Sequence, residues 1–265
     1  MGTRTSYEAG TFSWVELATT DPEDAERFYG GLFGWNFEDG DRLGGEVSTA
    51  ARLDGEAVAG ITERSASQGP PGGPPGWVSY VTVANSDEST VRAGELGGTV
   101  HVEPFEVGSA ARVAVVVDPT GAAIGLWEAR SSIGAERVNG PGCLTSNELA
   151  TDDVDAASKF YRELFGWSIE EVDTGGGPRY WLIHGEGALE GRNGGMRELG
   201  PAGDGIPPNW VPYFTTESVD KALAQADELG GATLMPATQI PAGIIAAVRD
   251  PQGAVFSIFE GDVDD

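Results

Sequence analysis

The chain has 265 residues, of which 40% are hydrophobic, so it is long enough for two domains of ordinary size with packed cores. It carries 42 acidic residues against 16 basic ones, a formal net charge of −26. Such a charge repels nucleic-acid phosphates and anionic membrane surfaces, so we expect neither as a partner. The sequence has no membrane-length apolar run and no secretory signal at its start, and its one cysteine excludes an internal disulfide. We therefore expect a cytoplasmic protein.

The first unit of the chain begins with alternating residues that predict a strand over Phe12–Ala18. A helix follows, which Thr20 or Asp21 caps, with Pro22 in its first turn and Gly34 at its end. One stripe of this helix is apolar, as expected for a face that packs on a sheet: Ala25, Phe28, Tyr29, Leu32 and Phe33.

A second unit begins after a Pro/Gly-rich interruption at 65–76. Its pattern predicts a strand at Trp77–Val83 and a helix at Ser86–Leu96, which a pair of glycines ends. Later strands are predicted at Arg112–Val117 and Ala122–Glu128. Both units therefore follow the order β-α-β-β-β.

The second half of the chain repeats the first at a nearly constant spacing. The matched segments are Glu16–Thr19 with Glu148–Thr151, Arg27–Trp35 with Lys159–Trp167, Trp77–Tyr80 with Trp210–Tyr213, Leu96–Gly98 with Leu229–Gly231, and Asp118–Gly121 with Asp250–Gly253. A second interruption lies at 199–208, and the joint between the copies lies at 129–142. The predicted domains are 8–130 (units 8–66 and 77–130) and 143–262 (units 143–199 and 209–262).

The repeated motifs resemble one superfamily over both copies. They are FYxxLFGW at the end of the first helix, LGG after the second, and the closing DPTGAAIGLWE and DPQGAVFSIFE. They look like the vicinal-oxygen-chelate superfamily, which contains glyoxalase I, bleomycin-resistance proteins, fosfomycin-resistance enzymes and extradiol dioxygenases. The resemblance implies an α+β fold with four βαβββ units in two tandem glyoxalase/bleomycin-resistance-like domains, each with a cup-shaped mixed sheet. It leaves the chemistry open, because one fold hosts many functions.

The resemblance also implies where a divalent metal would bind. Counted from the helix-opening Asp and the Asp of DPxG, the family's ligand positions fall on or beside Trp14, Val78, Gly125, Ser146, Val211 and Ser257. None of these residues supplies the imidazole, carboxylate or thiolate that such ions prefer. We expect no metal and no other cofactor.

Four polar residues are candidates for catalysis instead. Side chains two apart on a strand share a face, so Glu16 lies with Trp14, and Glu148 with Ser146. In a concave site a carboxylate would serve as a general base, and Tyr80 or Tyr213 would orient or protonate a ligand oxygen. The alternative is structural: the glutamates hydrogen-bond a backbone turn or an arginine, and the tyrosines fill the core.

Several further residues are candidates for lining a substrate pocket, although ordinary core packing would explain many of them equally well. They are Trp14, Trp77, Trp127, Ser146, His184, Trp210, Ser257 and Phe259.

Three functions remain open from the sequence. The leading hypothesis is a metal-independent enzyme of specialised metabolism that acts on a small, largely apolar, aromatic or polyketide-like molecule. Its reaction would be isomerisation, cyclisation or elimination. The second is a protein that binds and sequesters a small molecule without chemistry. The third is a metal-dependent lyase or dioxygenase with unconventional ligands such as Glu16, Glu148 and His184. In each case the partner is a small molecule, and the protein is a monomer or a homodimer.

Overall fold

The computed structural model describes residues 2–43, 46–64, 75–185, 193–199 and 206–263, with the side chains of 39–47 left aside. The two predicted interruptions at 65–76 and 199–208 lie mostly outside the described residues. In the described part of the chain, no helix is both long and apolar enough to cross a membrane.

The first copy contains a short terminal strand followed by two βαβββ units. Its elements are β1 (Gly2–Thr3), β2 (Phe12–Thr19), α1 (Pro22–Phe33), β3 (Asn36–Leu43), β4 (Glu46–Leu53), β5 (Glu56–Glu63), β6 (Gly76–Thr82), α2 (Ser86–Glu95), β7 (Thr99–Val107), β8 (Ala111–Val117) and β9 (Ala123–Ala129).

The joint between the copies holds one short strand, β10 (Arg137–Val138), which pairs with β1. Two more βαβββ units follow. Their elements are β11 (Leu144–Thr151), α3 (Val154–Phe165), β12 (Ser168–Val172), β13 (Tyr180–His184), β14 (Gly194–Glu198), β15 (Asn209–Thr215), α4 (Val219–Glu228), β16 (Ala232–Ile240), β17 (Gly243–Arg249) and β18 (Val255–Gly261). The fourfold β-α-β-β-β order predicted from the sequence is confirmed.

The helix ends follow the local signals in the sequence. Asp21 caps α1, since its side chain accepts a hydrogen bond from the backbone N–H of Asp24, and Pro22 occupies the first turn. Gly34 ends the helix with φ of 74°, a left-handed conformation that favours glycine. Asp153 and Gly166 play the same two parts in α3.

Each copy folds into its own eight-stranded mixed sheet. The strand orders are β3-β4-β5-β2-β6-β9-β8-β7 and β12-β13-β14-β11-β15-β18-β17-β16. The two units of a copy join where β2 pairs antiparallel with β6, and β11 with β15. The two units that share a sheet therefore belong to the same copy.

The helices and outer sheet faces, by contrast, pack between the copies. One core joins the outer face of the first unit to that of the fourth, with α1 against α4. A second core joins the second unit to the third, with α2 against α3. The central strands β6 and β15 also lie against each other. The two sheets therefore stand back to back, and their concave faces open in opposite directions.

The repeated FYxxLFGW motif lies in these shared cores. The Tyr29 hydroxyl donates to Oδ2 of Asp250 in the other copy at 3.0 Å, and Tyr161 donates to Oδ2 of Asp118 at 2.8 Å. The motif tryptophans Trp35 and Trp167 donate to backbone carbonyl groups at the start of the opposite copy, at 2.7 and 2.6 Å. The motif is thus a packing element, as its helical spacing predicted, and it holds the two copies together.

Candidate functional site

The concave face of each sheet is identified by strand alternation. On β2, Val15 and Leu17 enter the shared core, so Trp14 and Glu16 face the opposite, concave side. We call the concave face of the first sheet the first cup, and its polar and aromatic residues used below are Trp14, Glu16, Ser48, Thr62, Tyr80 and Trp127. The corresponding face of the second sheet is the second cup, with Glu148, Tyr180, Arg197, Tyr213, Ser257 and Phe259.

Glu16 is buried in the first cup, with 5% of its surface exposed. Its Oε2 accepts a hydrogen bond from Trp14 Nε1 at 2.8 Å, and its Oε1 accepts from the hydroxyl groups of Ser48, at 2.8 Å, and Thr62. Burial raises the pKa of the Glu16 carboxyl, and these three hydrogen bonds act in the opposite direction. The donors that reach Glu16 within the described residues are all uncharged.

The first cup is filled by its own side chains. The Trp14 and Trp127 rings lie 5.8 Å apart between centroids, and Tyr80 meets Trp127 edge-on at 5.8 Å. The Tyr80 ring lies directly over Gly125, where any Cβ would overlap it. All three aromatic residues are almost fully buried.

The joint between the copies closes the first cup further. Ala135 and Val138 belong to the same apolar cluster as Trp14 and Tyr80. Ala135 is fixed there, because its N–H donates to the Ser13 carbonyl and its own carbonyl accepts from the Tyr7 hydroxyl, both at 2.7 Å. The edge strands β3 and β7 also touch each other. The first cup is therefore sealed.

Glu148 in the second cup has a charged partner. The Nε of Arg197 donates to its Oε1 at 2.9 Å, and the hydroxyl groups of Tyr180 and Tyr213 lower the pKa of the carboxyl. Ser257 lies beside Tyr213 on the neighbouring strand and lowers the pKa of its phenol. Burial raises the pKa of Glu148, while the Arg197 guanidinium lowers it. Burial, followed by the negative charge of Glu148, raises the pKa of Tyr213, which keeps the phenol protonated.

Strand register shows which residues of the two cups correspond. Glu16 lies beside Gly60, and Glu148 lies beside Gly195. Two residues further on, the first copy has Thr62 where the second has Arg197. The shared glutamate is thus bonded to uncharged groups in one cup and to a guanidinium in the other.

The strand register also shows which residue lies beside each of the two tyrosines. Tyr80 pairs with Gly125, and Tyr213 pairs with Ser257. Without a Cβ at 125, the Tyr80 ring lies flat on the neighbouring strand. In the second copy Ser257 takes the place of this glycine beside Tyr213.

The second cup is the more accessible one. The Glu148 side chain is 12% exposed and that of Arg197 is 41% exposed. Strand β16 at its edge is mostly exposed, whereas the corresponding β7 is mostly half-buried. Among the described residues, the edge strands β12 and β16 make no contact comparable to that between β3 and β7. Within the described ranges, the side chains of the second cup are therefore more exposed than those of the first.

Most of the candidate residues lie in the cups, in two separate sets. Trp14, Glu16, Tyr80 and Trp127 share the first cup. Ser146, Glu148, Tyr213, Ser257 and Phe259 face the second, and His184 stands on the same face of β13 as Tyr180. Glu16 and Glu148 belong to cups that open in opposite directions, so the hypothetical metal site of Glu16, Glu148 and His184 cannot form.

Trp77 and Trp210 are not in either cup, which corrects the expectation that they line a pocket. Both lie in the shared cores, where their Nε1 groups donate to the hydroxyl groups of Tyr29 and Tyr161 at 3.2 and 2.9 Å. The physical reason is strand alternation: Trp77 is three residues from Tyr80 and so faces the opposite side of β6.

Two residues of the second cup were not among the sequence candidates, namely Arg197 and Tyr180. A signal for Arg197 exists in the repeat, because it is a charged residue at a strand position where the first copy has a small neutral Thr62. Comparing the copies position by position around the shared glutamate would have found it. Tyr180 had no such signal, since β12 and β13 are shorter than their counterparts in the first copy.

Sequence comparison assigns the family. The model of the Glyoxalase/Bleomycin resistance protein/Dioxygenase superfamily matches residues 11–126 and 144–258, one match in each copy. The chain belongs to this superfamily. The resemblance seen in the repeated motifs is therefore confirmed, together with the α+β fold in two tandem copies.

Relatives within the superfamily span the whole chain. The glyoxylase-like protein CFP32 of Mycobacterium tuberculosis is 38% identical over 262 residues, which cover 98% of each chain. The anthracycline biosynthesis protein DauV of Streptomyces sp. strain C5 is 32% identical over 269 residues, 97% of this chain and 95% of the relative.

Solved structures of the superfamily share the fold. The 2,3-dioxygenase LapB from Pseudomonas sp. KL28 matches with a TM-score of 0.65 at 15% identity, covering 98% of this chain and 96% of that chain. The Mn(II)-bound glyoxalase from Novosphingobium aromaticivorans also gives 0.65, at 14% identity, covering 97% and 84% of the two chains. At these identities the likeness concerns the fold alone.

The donors among the described residues do not fit the divalent metal that the superfamily usually binds. The described residues contain no cluster of three or more His, Cys, Asp or Glu side chains that could hold such an ion. In the second cup, Ser146, Tyr213 and Ser257 stand side by side on three adjacent strands. Two hydroxyl groups and a phenol held in its protonated form are poor ligands, and the Arg197 guanidinium repels a cation.

Proposed function

We propose that this chain is an enzyme whose second cup carries out acid–base chemistry on a small aromatic or polyketide-like molecule. The observation that carries the proposal is the ion pair of Glu148 and Arg197 in the second cup, with Tyr213 and Ser257 on the same concave face. The equivalent glutamate of the sealed cup has neither the arginine nor the access. A metal takes no part in the proposed reaction, because the donor set does not fit one.

The substrate class follows from the apolar walls of the second cup and from its relatives. Phe259 and Ile245 lie next to each other on adjacent strands of the concave face, across the cup from Leu182. Such walls suit a flat, largely apolar molecule. DauV and a second relative, DnrV of Streptomyces peucetius, are named as anthracycline biosynthesis proteins, and the proposed class is in line with those names.

Each residue has a part in the proposed mechanism. Glu148 takes a proton from the substrate, since desolvation makes the carboxylate a stronger base. Tyr213 keeps its proton, because burial and the negative charge of Glu148 raise its pKa, and it donates a hydrogen bond to a substrate oxygen. Arg197 fixes the orientation of Glu148 through its Nε.

A substitution pair tests this function. Glu148→Gln should lower turnover of an aromatic polyketide substrate by roughly 100- to 10,000-fold, the usual contribution of a general base, and leave affinity largely intact. Product formation is followed by mass spectrometry. Glu16→Gln in the sealed cup is the matched control and should leave turnover unchanged. If Glu148→Gln turns over at the wild-type rate, the assignment of the base is wrong.

Sequestration of a small molecule is the second candidate function. The observation in its favour is that Glu148 is already paired with Arg197, as in a site where a carboxylate only organises its neighbours. This function predicts that a ligand recovered from the protein is chemically unaltered, whereas the enzymatic function predicts conversion.

A further inference from the structure

We propose that the ligand of the second cup carries an acidic hydroxyl conjugated to a carbonyl, as in hydroxyquinones and enols, and is held there as its anion by Arg197. This inference rests on the function proposed above, and it specifies the substrate class of the same cup. Three observations support it: the free edge of Arg197, the pairing of Arg197 with the base, and the contrast with the first cup.

Within the described part of the chain, the two terminal nitrogen atoms of the Arg197 guanidinium make no hydrogen bond. Only Nε of Arg197 bonds to Glu148, and its side chain is 41% exposed. The two terminal nitrogen atoms are thus the strongest hydrogen-bond donors that a ligand would meet in this cup. A planar guanidinium offers parallel N–H groups that match two adjacent oxygen atoms, such as a hydroxyl next to a carbonyl.

Because Arg197 is paired with Glu148, the negative charge can move from Glu148 to the ligand while the net charge of the cup stays the same. When the ligand O–H bond breaks, its proton joins Glu148 and its electron pair stays on the ligand oxygen. Glu148 becomes neutral, so Arg197 loses its ion-pair partner and gains the ligand anion in its place. The cup holds one negative and one positive charge before and after the transfer. No additional charge must be desolvated, which is the costly step in a buried site.

The first cup lacks the parts needed for this exchange. Thr62 replaces the arginine, so a proton moved to Glu16 would leave an unpaired anion in an apolar space. The net negative charge of the chain also supports a role for Arg197 in binding an anionic ligand. In a chain with a net charge of −26, an anionic ligand needs a cation at the binding site itself.

The test uses alizarin, 1,2-dihydroxyanthraquinone, at a pH just below its own ionisation, where it is yellow in solution and turns red as the anion. We expect the red absorption band when wild-type protein binds it. Arg197→Met should lose the band and weaken binding by roughly 10- to 100-fold, the worth of a charge-assisted hydrogen bond. Arg197→Lys should keep the band with reduced affinity, because the charge remains.

Proton release gives a second readout. In weakly buffered solution, wild-type protein should release no net proton on binding alizarin, because Glu148 takes it. Glu148→Gln cannot take the proton, so binding should release about one proton per ligand. Glu16→Gln, the matched control in the first cup, should behave as the wild type. Circular dichroism checks that each variant is folded.

The possible failures are distinguishable. A red band that survives Arg197→Met, or a yellow bound ligand in the wild type, overturns the anion inference but leaves the proposed function standing. Ser146→Trp places in the second cup the residue that fills the first, and it should abolish binding. Binding that survives Ser146→Trp, or no binding at all by the wild type, overturns the proposed site and this inference with it.

Discussion

At the scale of single residues, the two cups differ by one Cβ atom, which Gly125 lacks and Ser257 has. Gly125 lets the Tyr80 ring lie against its strand, among Trp14 and Trp127, where it helps to fill the first cup. In the second cup Ser257 takes the place of Gly125, and burial, followed by the charge of Glu148, raises the pKa of Tyr213. The same tyrosine is therefore packed among tryptophans in one copy and lies near an ion pair in the other.

This difference predicts that two exchanged substitutions destabilise the protein to different extents. Gly125→Ser should destabilise the protein by about 1–3 kcal/mol, because the new side chain overlaps a ring that is packed on all sides. Urea unfolding measures the change. Ser257→Gly removes atoms without creating an overlap and should cost less. Equal effects of the two substitutions would contradict this account of the tyrosines.

Residue placement was predictable from the sequence only in part. The alternation of side chains along a strand correctly placed Glu16 on the same face as Trp14 and Tyr80. The same rule, if used for Trp77, would have placed that residue outside the cup. The Arg197–Glu148 pair was not predicted, because it joins two strands whose pairing depends on tertiary structure. Which cup is sealed also lay beyond the sequence, since it depends on where the joint between the copies packs.

At the scale of elements, α1 and α3 connect the copies through matched hydrogen bonds. Each helix presents a tyrosine that accepts from a tryptophan of its own copy and donates to the DPxG aspartate of the other. The ends of these helices were predictable from their capping residues. The packing of these helices across the copies was not predictable. The repeated motif is the same in both copies, so it does not show which sheet each helix packs against.

Tyr29→Phe tests this connection. The change leaves Asp250 Oδ2 without its donor and Trp77 Nε1 without its acceptor in a buried place, so stability should fall by about 2–4 kcal/mol. Chemical denaturation measures it. Tyr161→Phe should have a similar effect by pseudo-symmetry, whereas Lys159→Ala on an exposed position of α3 should be close to neutral. A neutral Tyr29→Phe would show that the bond between the copies contributes nothing.

At the scale of the whole molecule, each copy has its own sheet, but the two hydrophobic cores are shared between the copies. Each core contains residues of both copies, so neither copy can lose its structure without exposing the apolar surface of the other. Tandem domains with separate cores commonly unfold in steps. This molecule should not.

We expect one cooperative unfolding transition. Calorimetry should give a single peak, and near- and far-ultraviolet circular dichroism should follow the same curve on heating. A substitution in one core, such as Tyr29→Phe, should shift the entire transition and not split it. Two resolved transitions would contradict the shared cores.

The back-to-back arrangement of the sheets also determines where the tryptophans lie. Of the seven tryptophans, Trp14 and Trp127 lie in the sealed cup, and the other five lie in the shared cores. The second cup therefore contains no indole ring, and a ligand bound there can quench the intrinsic fluorescence only across a distance, by energy transfer. A coloured ligand would dim the tryptophan emission according to its spectral overlap, while a colourless one would leave it nearly unchanged. Emission spectra can thus tell which side of the molecule a ligand occupies.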